Sequence, residues 1–153
     1  MDVNLLLFCC WAGVIGAGAL GETGIRHAVD AVECWQSEVV RPLRMVRRRL
    51  KSDLDNIPND WREALRLTIG RSELDVEHIE QLVLGEMVTM TAQPKRAPER
   101  CAANAAANLA TYFALAGVQC GEDECHRLAI ILAACFPQLE EVAVTQILIS
   151  AFD

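Results

Sequence analysis

A chain of 153 residues is long enough to bury roughly 70% of its unfolded surface in one domain, so it needs no disulfide or metal staple. With 52% apolar and 23% charged residues it is neither disordered nor a low-complexity linker, and with only 5% aromatics it favours aliphatic helix packing over a β-sandwich. A net charge of -7 excludes a protein that embraces nucleic acid over its whole surface.

The chain opens with an apolar stretch from Val3 to Leu20, interrupted only by Asn4. A membrane-spanning helix needs about 20 apolar residues, and this run falls just short of that. It contains Gly13, Gly16 and Gly18, and Asp2 precedes it where a secretory signal requires a positive charge. Ala17-Gly18-Ala19 imitates a signal-cleavage site, and basic residues follow from Arg26 onward, but the acidic start favours a core helix. That helix is expected over Val3 to Gly13, with a glycine-rich turn after it and Asp2 complementing its dipole.

Thr23 begins the next helical pattern, with Ile25, Ala28, Val29 and Val32 at helical spacing. A further helix is expected from Glu33 to Ser52, with Trp35, Val39, Leu43, Val46 and Leu50 as its apolar stripe and a kink or break at Pro42. Asn56 to Asp60 reads as a turn. Trp61, Leu65 and Ile69 then mark a short helix ended by Gly70. Ser72 resembles the N-cap of another helix, with Asp75 in the capping-box position and Val76, Ile79, Leu82, Val83 and Met87 as the buried face. Residues 91 to 98 read as a linker, followed by helices over 99 to 116, 122 to 135 and 138 to 151. The expected fold is all-α: a single-domain compact bundle of about six to seven helices, in which a core of residues 1–90 carries a C-terminal three-helix segment, 99–153.

The densest chemical feature is the run from Arg41 to Lys51, which holds six of the fourteen basic residues and no acid. At about 100° per residue, Arg41, Arg44, Arg47, Arg48 and Lys51 share one broad face, opposite Val39, Leu43, Val46 and Leu50. Such a face can bind an anion or an acidic partner. It can equally pair inside the fold with acids such as Glu73, Asp75, Glu77 and Glu80, and neither a phosphate loop nor stacking aromatics accompany it. An alternative is an interhelical ligand or enzyme site using Arg44, Arg48, Glu77 and His78.

Seven cysteines, several inside apolar runs, suit a reducing compartment. Cys120, Cys125 and His126 have metal-ligand spacing, with Cys101 or His27 as remote fourth ligands, but the second close pair of a zinc module is missing. Cys125 and His126 are helix neighbours that point apart and do not make a nucleophile-base pair. Gly16, Gly18 and Gly21 spell a dinucleotide fingerprint without the adjoining strand that gives it meaning. Trp11, Trp35 and Trp61 read as core anchors. No metal and no cofactor is expected, and no catalytic residue stands out.

Two stretches carry a family likeness. Asp2-Val3-Asn4-Leu5-Leu6-Leu7-Phe8-Cys9-Cys10-Trp11, and Val39-Val40-Arg41-Pro42-Leu43-Arg44 with Arg47-Arg48-Arg49-Leu50-Lys51, resemble an uncharacterised proteobacterial family, the domain-of-unknown-function family twenty-three ninety. The likeness covers roughly residues 2 to 90, with Trp35 and Glu80-Gln81 fitting more loosely. It implies a small soluble helical protein and transfers no reaction, ligand or partner. Members of that family carry an apolar helical segment before the Asp-Val-Asn motif. The resemblance therefore implies an exposed apolar patch at Leu5, Leu6, Phe8 and Trp11, open to self-association or to another chain. Together these features describe a cytoplasmic protein-interaction or adaptor module with a basic amphipathic helix. Its partner would be a protein or a second copy rather than nucleic acid or a membrane.

Overall fold

The computed structural model describes residues 1–52, 54–55, 57–88 and 96–152. Every regular element among them is helical: α1 (Val3–Val14), α2 (Gly21–Trp35), a π segment (Gln36–Val40), α3 (Arg41–Arg49), α4 (Asn59–Glu86), α5 (Pro98–Leu115), α6 (Glu122–Cys135) and α7 (Glu141–Phe152). The all-α reading is therefore correct. No helix among the described residues is long and apolar enough to cross a membrane. The chain groups into two compact units, Met1–Val29 with Gly85–Asp153, and Asp30–Leu84. Most of the expected linker, 91–95, lies outside the described residues, as does Asn56 of the expected turn.

The first unit is built on α1 and α5. Asp2 caps α1 by accepting from the Asn4 N–H at 2.9 Å, and its own N–H donates to Tyr112 Oη at 3.0 Å. Leu5, Phe8, Cys9 and Ala12 on α1 meet the small-residue face of α5, where Ala102, Ala105, Ala106 and Leu109 are buried. Gly13 lets the two backbones close, since a Cβ there would lie 2.5 Å from Ala105 Cβ and 2.8 Å from Cys101 O. After α1 the chain turns through Gly16 and Gly18, both at positive φ, as the glycine-rich pattern indicates. Fully buried Asn108 ties this turn down: its Oδ1 accepts from Leu20 N–H at 2.8 Å, and its Nδ2 donates to Cys9 O and Gly18 O. Phe113 of α5 meets Phe152 of α7 edge-on at 5.3 Å.

Burial in this unit corrects the expected exposed patch. Leu5 and Phe8 are buried, while Leu6 and Trp11 are half-buried, because α5 supplies the cover for this face. The outward residues of α1 are Val3, Leu7 and Val14.

The second unit departs further from the periodicity. Instead of a break at Pro42, the chain runs helically from Gly21 through Arg49, and the strain is taken up one turn earlier. Proline offers no N–H and its ring crowds the carbonyl four residues back. The π segment widens that turn, and the Arg41 N–H reaches back to Gln36 O. The wider turn adds about one residue and so shifts by about 100° which side chains share a face before and after it. Hence Val40 and Leu50 are buried, Val39 and Leu43 are half-buried, and Val46 of the expected stripe is exposed beside Met45.

The two helices expected over 61–70 and from Ser72 onward are one, the 28-residue α4. Gly70 lies inside it without ending it. Ser72 caps nothing: its hydroxyl donates to Thr68 O at 3.3 Å, one turn back in the same helix.

Candidate functional site

α4 turns its charged side inward. Glu73 is 5% exposed and Glu80 1% exposed, whereas Ile79, Leu82 and Val83, three members of the expected buried face, lie exposed. The spacing Glu73, Glu77, Glu80, Leu84 follows helical periodicity, so an amphipathic face does exist, but it is largely acidic.

The reason lies on α3 and the π segment, which present the matching groups. Arg44 Nε donates to Glu73 Oε1 at 3.1 Å, and its Nη2 donates to Glu77. Arg47 holds the same Glu73 with Nε on Oε2 and Nη2 on Oε1. Gln36 Nε2 donates to Glu80 Oε2 at 2.7 Å inside the unit, and Trp35 Nε1 donates to Val76 O at 2.9 Å. The buried charge of Glu73 is tolerable because it is both paired and hydrogen-bonded. The hydrogen bonds from Arg47 and Arg44 hold the Glu73 carboxyl below its usual pKa against the opposing effect of desolvation, and bonding to Glu73 raises both guanidinium pKa values.

Of the five basic residues singled out from the sequence, Arg44 and Arg47 are thus committed within the fold. Arg41 makes a solvent-exposed pair with Glu33 at 3.6 Å. Arg48 and Lys51 are exposed and make no ion pair among the described residues. Of the alternative interhelical set, Arg44 and Glu77 meet, while Arg48 and His78 stay on the surface.

The sequence reading missed Arg66 and Arg71. With Arg47, Gly70, Leu74 and Glu77 they line an open cleft of about 380 Å³. Arg66 is held by Glu63 one turn away on the same helix, and that bond lowers the Glu63 pKa. Arg71 is exposed and makes no ion pair among the described residues.

The outer side of α4 carries Trp61, Leu65, Ile79 and Val83 on one stripe, with Trp61 71% exposed. Trp61 is therefore no core anchor. Leu82 adds exposed apolar area on its flank, while Leu67 and Leu74 are exposed on the far side of the helix. In the first unit, Cys120 and Cys125 bring their sulfurs to 2.6 Å, but no group of three or more potential metal ligands forms among the described residues. Burial, and then the bond to Cys125, push the Cys120 thiol up to about 12, so a thiolate there is scarce at neutral pH.

Residues 1–84 match the family model described as a protein of unknown function, DUF2390. The chain belongs to that family. The matched region holds α1, the π segment and its proline, and the whole Arg–Glu network together with most of α4. No curated protein and no solved structure matches the chain.

Proposed function

We propose that this DUF2390 protein is a protein-interaction module whose docking surface is the outward face of α4. The observation that carries this reading is the inverted burial of that helix, with Glu73 and Glu80 inside while Trp61, Leu65, Ile79 and Val83 face water. Isolated exposed apolar residues are ordinary, but a run of them along one long helix marks a contact surface. Trp61 at one end is the residue type that dominates binding energy when covered. The basic helix α3 takes a structural part, since Arg44 and Arg47 hold α4 in this orientation. Exposed Arg48, Arg49 and Lys51 add a positive rim. Seven unpaired thiols agree with a reducing cytoplasm.

The test is capture of a stoichiometric partner by the full chain and by two paired variants. Leu65→Lys with Ile79→Lys is expected to abolish capture, while Arg48→Glu with Arg49→Glu retains most of it. Loss with the arginine pair alone would move the site to α3.

A second reading, anion binding, is favoured by the cleft that Arg47, Arg66 and Arg71 line. A thermal shift with inorganic phosphate that disappears in Arg71→Ala would support it, since a bound ligand stabilises by mass action.

A further inference from the structure

The outward stripe of α4 is symmetric along its own length. At about 100° per residue, Trp61, Leu65, Thr68, Ser72, Ile79 and Val83 lie within one narrow sector, with Val76 at its edge. Trp61 and Val83 stand equally far from Ser72 on either side, and so do Leu65 and Ile79. Large apolar groups therefore sit at both ends and small ones at the middle. A helix running antiparallel across this face, centred on Ser72, would meet Trp61 with Val83 and Leu65 with Ile79, twice over. This is the self-complementarity that a two-fold interface requires.

Two further observations fit a second copy. The hydroxyls at the centre are already satisfied, because Thr68 Oγ1 donates to Ala64 O at 3.0 Å and Ser72 Oγ to Thr68 O. They can therefore be covered by another helix without stranding a donor, and their small size permits close approach. Beside the stripe, on the flank that faces itself in an antiparallel pair, lie Arg71 and Asp75. Both are exposed, and neither makes an ion pair among the described residues. In that register Arg71 of one copy falls two residues, about 3 Å along the helix axis, from Asp75 of the other, within side-chain reach, giving two equivalent charge pairs.

We infer that the occupant of this face is a second copy of the chain, forming an antiparallel two-fold dimer through α4 with its axis near Ser72. This rests on the reading of α4 as a docking surface and names its partner.

The test is sedimentation equilibrium of the full chain and of two charge variants over a dilution series, with circular dichroism confirming that each is folded. Wild type is expected to dimerise. Arg71→Asp and Asp75→Arg each place like charges opposite one another, so each alone should dimerise roughly tenfold more weakly or worse. Mixed in equal amounts, the two variants restore complementary pairs and should form the heterodimer. A wild-type chain that stays monomeric, or a dimer indifferent to both variants, overturns the inference. A monomer that still binds a hydrophobic dye, with the dye lost in Leu65→Lys, overturns the second copy but not the docking face. A monomer without dye binding overturns both.

Discussion

Arg47 grips Glu73 through two guanidinium nitrogens, and Arg44 shares the same carboxylate from one turn earlier on α3. One buried acid thus gathers two arginines, and this triad fixes which side of α4 faces inward. Replacing Glu73 with Gln strips partly buried Arg47 of its counter-charge and leaves Arg44 with Glu77 alone. Discounted for the water that still reaches the arginines, the expected cost is about 1–3 kcal/mol. Urea unfolding monitored by tryptophan emission measures it. A variant as stable as wild type would show that the triad does not orient the helix.

The same carboxyl sets a pH dependence. Its pKa is lowered in the folded protein, chiefly by the Arg47 hydrogen bond. A carboxyl of this kind contributes stability above its unfolded pKa of about 4.3 and loses it as pH falls through the folded value. The advantage of wild type over Glu73→Gln should therefore be full near neutrality and shrink below about pH 4.3. The arginines stay charged throughout and add no slope. An advantage that grows on acidification would contradict the assignment.

Two glycines should respond oppositely to alanine. At Gly13 a Cβ would press on Ala105 and on the Cys101 carbonyl, and overpacking against backbone costs about 1–3 kcal/mol. A Cβ at Gly85 would meet nothing within 4 Å among the described residues, so Gly85→Ala should stabilise by roughly 0.5–1 kcal/mol through helix propensity. Thermal midpoints moving in opposite directions would check both.

Asn108 closes the turn after α1 with three hydrogen bonds to Cys9, Gly18 and Leu20. Asn108→Ala removes the side-chain partners of the Leu20 N–H and the Gly18 carbonyl at a largely buried turn, at a cost of about 2 kcal/mol. The exchange rate of the Leu20 amide, measured by hydrogen exchange, should rise in step.

Thiol reactivity separates the cysteines. Burial pushes Cys9 and Cys10 up to about 12, whereas Cys34 is exposed, with its pKa raised mainly by the charge of neighbouring Glu38. Iodoacetamide at mildly alkaline pH should label Cys34 first and reach Cys9 and Cys10 only on unfolding. Early labelling of Cys9 would contradict the packing of α1 on α5.

Local signals made the first unit largely legible. Asp2 before an apolar run, the glycines after it and the punctuation around Pro137 all act within a few residues, and α1, α5 and α6 lie where they indicate. The second unit was not legible in the same way. Periodicity shows that α4 has two contrasting faces, but the inward one is decided by Arg44 and Arg47, nearly thirty residues earlier in the chain. Pro42 signals a disturbance, yet its resolution as a wide turn at Gln36–Val40, with the rotation that brings the arginines inward, depends on packing. Ser72 and Gly70 imitate a helix boundary, but α4 continues through both with its paired acids held by α3. The apolar residues thereby left outside are the candidate site, and a rule that places apolar residues inside conceals it.

The central claim, that α4 presents a docking face filled by a second copy, is most directly tested by the mass of the chain at sedimentation equilibrium. Two chains per particle at the top of the dilution series, falling to one in Leu65→Lys with Ile79→Lys, is the expected result. One chain per particle at every concentration would contradict it.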